Sequence, residues 1–317
     1  MMSNENGEDL APELIRDATV RARIPWFSSS LTESAGRIYN VATHAQWTED
    51  DIDWASGRPL AELAPESAPA GLTGGPRLQL GDRGPWPEYQ AAMQNWAMSQ
   101  LLFGEQGAMV VTGRLVEALP DMTGKCVAAV QASDEARHVR VLQRYLEVTE
   151  QSFVPETEIT SLLGGLLEAR DWDYLLLGMQ VVLEGVALSI FRSGNVLFRD
   201  PLLADICERI ARDEARHYTF GVVSLGDHLA SLTASERRDR QAYLAEAACV
   251  MAGRFRFDSV WQQLGIPPAQ GHRYAASDPD LVGLRRIVFR PVVRALQRIG
   301  MWDDLAETFQ SLDLIAH

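Results

Sequence analysis

The sequence predicts an all-α protein built on a four-helix bundle, with additional helices and a long irregular N-terminal segment. Three observations carry this. Through residues 87–231 apolar side chains recur at three- and four-residue spacing, over stretches broken only by proline, glycine and short polar links. No alternating β-branched run of useful length occurs. The pentapeptide DEARH appears twice within the helical stretches, as a duplicated helical hairpin would show it.

Residues 1–86 read as an N-terminal extension and cover. Short helical patterns around 12–22 and 31–44 lead into a run from Gly57 to Pro87 that is dense in Gly and Pro, the texture of a linker or of a cover over a site. The core, residues 87–231, opens with a helix from about Pro87 to Leu119, stopped by Pro120, and a second from about Asp121 to Val148. So short a link makes them antiparallel neighbours. A connector with a small helix (150–170) leads to a third helix over about 172–197 and a fourth over about 201–231, which Pro201 opens from its first turn. Residues 232–317 read as a helical extension packed on the bundle, with helices over about 234–255 and 279–299 and a loop rich in Pro, Gly and Asp between them.

Bulk properties narrow the function. With 317 residues, 46% of them apolar, the chain can bury a sizeable core. A net charge of -14 opposes a polyanionic partner, so nucleic acid is not expected. No stretch reaches about 18 uninterrupted apolar residues, and the N-terminus is acidic where a secretory signal is basic and then apolar. A cytoplasmic protein without a membrane anchor is expected. Cys126, Cys207 and Cys249 form no Cys-x-x-Cys pair, which argues against a disulfide framework, structural zinc, an iron-sulfur cluster and rubredoxin iron.

The chemistry lies in the repeat. DEARH spans Asp134–His138 and Asp213–His217, a step of 79 residues, and Glu105 and Glu184, also 79 apart, each stand 30 residues before a motif glutamate. On a helix, i and i+3 share a face, so Glu135 with His138 and Glu214 with His217 each present a carboxylate and an imidazole together. Two antiparallel helices and a tight turn bring Glu105 back to the level of Glu135, and Glu184 to that of Glu214. Four helices then offer Glu, Glu-x-x-His, Glu and Glu-x-x-His inward, the ligand set of a two-metal carboxylate bundle. Four unpaired carboxylates are costly in an apolar bundle. Two divalent cations neutralise them, and oxygen and imidazole donors suit iron or manganese better than zinc.

Asp134 and Asp213 are placed to accept the free N–H of the histidine on the partner helix, fixing its tautomer. Thr112, Gln131, Gln180 and Tyr218 stand at helical spacing to serve the site; the plain reading is that they are satisfied core polar residues. Arg137 and Arg216 read as ion-pairing residues of the outer face. Gly104, Gly107 and Gly185 flank the first and third glutamates and signal either a cavity beside the metals or close helix packing. Arg285, Arg286, Arg290, Arg294 and Arg298 form a basic stripe, read as a solvated face or as a docking site for an acidic electron donor or carrier protein.

The segments FGEQGAM, SDEARHVRVL, VVLEGVAL and RDEARHYTFG resemble the ferritin-like di-iron oxygenase and oxidase superfamily, over about residues 88–231. The resemblance implies two iron ions, with a Mn/Fe pair as the alternative, dioxygen as co-substrate, a small organic substrate and a homodimer. Glu105, Glu135 and His138 would hold one side of the pair, and Glu184, Glu214 and His217 the other, with some carboxylates bridging. No redox centre beyond the metals is visible, so two electrons come from a separate reductase or from the substrate.

Departures prune the members. Leu142 stands where ribonucleotide reductase radical subunits carry a redox tyrosine, Ile210 where arylamine N-oxygenases add a histidine, and Ala187 and Leu188 where hydroxylases and desaturases carry a threonine. The expected activity is hydroxylation, N-oxidation or desaturation; the alternatives are an iron-handling protein without organic substrate and a carrier-dependent desaturase.

Overall fold

The computed structural model describes residues 14–17, 22, 24–26, 33–57, 87–149, 153–198 and 200–316. The described residues form helices and turns, with no strand among them. Four long rods make the centre: α2 (Pro87–Ala118), α3 (Met122–Thr149), a continuous stretch Trp172–Arg192, and α8 (Pro201–Ser231). Ahead of them lies α1 (Glu33–His44), which packs across α3 and α8. Between the two pairs runs α4 (Thr157–Glu168), and α9 (Ala234–Gly253) covers it from outside.

Local chemistry sets the boundaries. Pro120 stops α2 within two residues of its end. Pro201 starts α8 in its first turn, and the Asp200 carboxylate caps it by accepting from the Leu202 N–H at 3.0 Å. A capping box of Thr233 and Glu236 starts α9. Cross-links between rods fix the antiparallel registers. Between α2 and α3, Gln94 donates to Tyr145 Oη at 2.8 Å, and Lys125 reaches the Val116 carbonyl at 2.7 Å.

The third rod differs from the regular helix of 172–197 that the sequence suggests. It comprises α5 (Trp172–Leu176), a π-helical turn Leu177–Leu183, and α6 (Glu184–Arg192); a separate short turn, α7 (Gly194–Leu197), comes after it. The rod is long and apolar enough to cross a membrane, with an 18-residue stretch of mean hydropathy 1.8, but 83% of that stretch is buried inside the protein. Burial on every side accounts for its composition.

The C-terminal part also departs from expectation. The stretch read as loop carries α10 (Asp258–Gln263) and α11 (Pro268–Ser277), and the helix read over 279–299 is two, α12 (Pro279–Val288) and α13 (Arg290–Arg298), broken at Phe289. Pro291 is the cause: it has no N–H for the Ile287 carbonyl. That carbonyl instead accepts from Ser189 Oγ on α6 at 3.0 Å. A last helix, α14 (Ala306–Ser311), closes the described chain. The helix read at 31–44 appears as α1, whereas residues 14–17 and 22 are not helical; the rest of the 12–22 pattern and the Gly/Pro-rich segment over 58–86 lie outside the described residues.

Candidate metal centre

All six residues of the repeat meet in the centre of the four rods. None is more than 4% exposed. Glu105 comes from α2, Glu135 and His138 from α3, Glu184 from the first position of α6, and Glu214 and His217 from α8. Between the third and fourth rods Gly221 lies directly against Gln180, and just past the third rod Gly194 of α7 lies against Cys207; these close approaches fix the register that carries Glu184 to His217.

Both histidines turn Nδ1 inward. His138 Nδ1 lies 3.2 Å from Glu105, 3.3 Å from Glu135 and 3.2 Å from Glu214. His217 Nδ1 lies 3.3 Å from Glu135, 3.4 Å from Glu214 and 4.0 Å from Glu184. Glu135 and Glu214 therefore stand between the two histidines, with Glu105 on the His138 side and Glu184 on the His217 side. Two groups with the reach to hold an ion result, Glu105, Glu135, His138 and Glu214, and Glu135, Glu184 and His217. The grouping crosses the two sequence motifs because the bundle interleaves them.

The outer nitrogens are engaged crosswise. His138 Nε2 meets Asp213 at 3.1 Å, and His217 Nε2 meets Asp134 at 3.2 Å. Arg137 donates to Asp134 at 2.6 Å and to Asp213 at 2.9 Å, while Arg216 pairs with Asp213 and approaches Asp134 at 3.5 Å. This corrects the outer-face reading of the two arginines: their side chains are only 11% and 12% exposed and clamp the aspartates that hold the histidines. Two residues just after α1 complete the layer. Gln46 donates to Asp134 at 3.0 Å and Trp47 Nε1 to Asp213 at 2.8 Å. Neither is legible in the sequence, since the contacts span 88 and 166 residues.

The electrostatics favour a cation. Burial, reinforced by Glu214, pushes the Glu105 carboxyl well above its ordinary range, and the same two causes raise Glu184. Burial should lower both histidines; hydrogen bonding to Asp213 and Glu105, with the other carboxylates close by, raises His138 instead, and the Glu135 and Glu214 charges lift His217 to about 10. Glu135 Oε2, both oxygens of Glu214 and His217 Nδ1 are buried without a hydrogen-bond partner. Buried orphans of this kind demand an explanation, and an oxygen and imidazole donor set around one point fits two divalent ions. With Asp134 and Asp213 accepting at Nε2, each Nδ1 is the atom turned toward the cluster, where a bound ion would take the place of its proton.

No protein-family model matches the chain, and no curated protein matches it in sequence. Solved structures match its fold. A mutant of R2-like ligand-binding oxidase with an anaerobically reconstituted Mn/Fe cofactor aligns at TM-score 0.59 and 16% identity, covering 84% of this chain and 93% of that one. A Bacillus halodurans protein provisionally named a class I ribonucleotide reductase aligns at 0.52 and 15%, covering 88% and 99%. The chain has their ferritin-like fold.

Within the ferritin-like fold the remaining candidates separate. Gln180 donates to Gln131 Oε1 at 2.6 Å, and Gln131 in turn donates to Glu135 at 2.8 Å and Glu184 at 3.1 Å, so this pair ties the π-helical turn to the cluster. Thr112 Oγ1 is buried and unpartnered. Tyr218 turns away: its hydroxyl donates to the Pro291 carbonyl at 2.8 Å and links α8 to α13. The glycines divide likewise. A Cβ at Gly107 would strike Leu163, and one at Gly185 would meet Val292, so both serve close packing; one at Gly104 would meet nothing within 4 Å. Gly104 instead borders a cavity, partly open to solvent, that touches Glu105 and Glu184. A larger, mostly apolar cavity, also partly open, adjoins it.

Proposed function

We propose that this ferritin-like protein is an oxidoreductase that holds two iron ions, or a manganese and an iron, and uses dioxygen to oxidise a small organic substrate. The observation that carries the reading is the placement of Glu135 and Glu214 between two inward-facing histidine nitrogens, with a terminal glutamate on each side. The Mn/Fe cofactor named for a solved structure of the same fold supports it.

Such ions supply the one-electron chemistry that dioxygen reduction requires. The chain does the rest. Glu105, Glu135, His138, Glu184, Glu214 and His217 hold the charge, Asp134 and Asp213 orient the imidazoles, and Gln131 steadies Glu135 and Glu184. The cavity lined by Gly104, Ala108, Met179 and Ala187 opens onto Glu105 and Glu184 and gives a small substrate a way to them. This cavity favours an organic substrate over simple iron storage. The reading includes a cytoplasmic homodimer and an external electron donor, for which Arg290, Arg294 and Arg298, all exposed along α13, offer a basic face on an acidic protein.

Metal analysis after anaerobic loading tests it: two equivalents of iron, or one each of manganese and iron, are expected per chain, and E135Q/E214Q is expected to bind far less. Mixing the ferrous protein with dioxygen should give fast, stoichiometric oxidation whose products change when substrate is present. Absence of metal uptake, or slow ferric deposition beyond two equivalents, rejects the proposal.

A further inference from the structure

Arg254 is the first residue of the short turn Arg254–Arg256 that ends α9, and it lines both cavities. Among the described residues it is the one charged side chain on the wall of the larger cavity, which is otherwise made by Met93, Trp96, Val186, Phe255, Phe257 and other apolar residues. Its Nε is buried with no hydrogen-bond partner. Glu156 and Glu158 act on it from a distance without forming an ion pair among the described residues. The Glu156 carboxylate is already engaged, accepting from Trp96 Nε1 at 2.9 Å and from Ser259 Oγ. Burial accordingly holds the guanidinium down to about 10, although it stays cationic at neutral pH.

The guanidinium is partly buried and stands 6.0 Å from the Trp96 ring centroid, a cation–π contact that leaves its hydrogen-bonding edge without an anion, and a ligand that fills that edge would stabilise it. Its planar fork matches a carboxylate, which it can hold through two parallel hydrogen bonds. The charge balance selects a monoanion: Glu156, Glu158 and the nearby carboxylate cluster would repel a second negative charge.

Resting on the di-metal reading above, we propose that the substrate is a monocarboxylic acid with an apolar body, and that Arg254 anchors its carboxylate where the two cavities meet. The body lies in the apolar cavity. The anchored end stands at the entrance of the cavity that reaches Glu105 and Glu184, so Arg254 sets which carbons approach the cluster. It is a positioning and specificity residue, and it binds substrate through its charge without contacting the six candidate ligands.

Calorimetric titration of the metal-free full chain tests the anchor, using octanoate against octanol and 4-phenylbutyrate against its amide. Each acid is expected to bind about tenfold or more tightly than its neutral partner, the size of a charge-assisted hydrogen bond pair. In R254Q that preference disappears while affinity for octanol and the amide is unchanged, which also shows that the variant is folded; R254K keeps part of it, as a point charge in place of a fork. Equal affinity of wild-type protein for acid and neutral partner, failure of both acids to bind, or an acid preference that survives in R254Q overturns the proposal. An acid preference found only after metal loading and indifferent to R254Q places the carboxylate on the ions and overturns it too. If instead the chain takes up no metal but R254Q still abolishes the preference, the anchor stands and the di-metal reading falls alone.

Discussion

Asp134 and Asp213 decide which nitrogen of each histidine faces the carboxylates, and their own ionisation is secured by their surroundings. Burial would raise Asp213; hydrogen bonding to His138, with Arg216 and Arg137 beside it, instead holds it well below the ordinary carboxylate range. Burial opposes and the His217 hydrogen bond wins at Asp134 as well. Replacing Asp213 by asparagine keeps the volume but removes the acceptor charge that fixes the His138 proton on Nε2. D213N is expected to bind iron or manganese about 10- to 100-fold more weakly, measured by chelator competition; unchanged affinity would mean that the aspartate only packs. Two glycines on α2 make an opposed pair. G107A drives a methyl into Leu163 and is expected to lose about 1–3 kcal/mol in urea unfolding. G104A meets open space and should gain about 0.5–1 kcal/mol from helix propensity, while shrinking the cavity beside Glu105.

Among the elements, the π-helical turn Leu177–Leu183 has the largest effect on the site, because Glu184 stands immediately after it. A single residue more or less rotates the downstream helix by about 100°. Inserting one alanine after Val182 should therefore carry Glu184 away from His217 while Gln180 stays against Gln131, lowering metal stoichiometry with little change in helical circular dichroism; full retention of metal would show that the register of this rod does not set the site. The C-terminal clamp yields a pH prediction. Burial tends to raise the Asp313 carboxyl, but hydrogen bonds from Arg286 and Arg285 outweigh it and keep the group below its ordinary value. A depressed acid stabilises above the unfolded pKa and loses that contribution as pH falls through the folded one. D313N should therefore lower Tm at pH 7, with the deficit closing below the ordinary carboxylate range. The elements also show how much a local pattern reveals. The doubled DEARH and its upstream glutamates are legible because ligand geometry at i and i+3 leaves a trace in spacing, and Pro120 and Pro201 mark helix ends. Pro291 carries the same kind of signal for the break at Phe289. The π turn leaves none, since seven buried residues look alike in either helix, and Gln46, Trp47 and Arg254 reach the site through contacts that no local pattern records.

At the scale of the molecule, the bundle buries four glutamates, two aspartates, two histidines and two largely covered arginines around one point, inside an otherwise apolar core. Without cations this centre works against folding, because desolvation falls on the carboxylates and four buried atoms of the candidate ligands lack partners. Ion binding converts the liability into stability by mass action, about 2.7 kcal/mol when free metal exceeds its Kd a hundredfold. Two measurements then move in opposite directions. Anaerobic iron or manganese should raise the Tm of the wild-type chain by several degrees. E105Q/E184Q, which replaces two buried carboxylates with neutral amides of nearly the same shape, should melt at or above the metal-free wild type, yet gain nothing from added metal. A packing role for the glutamates predicts the reverse, a destabilised variant and a wild type indifferent to metal, because the buried groups would then be satisfied by each other. Scanning calorimetry of the two proteins with and without metal separates the cases, and a wild-type Tm unmoved by either ion would refute the account of why this core holds so much charge.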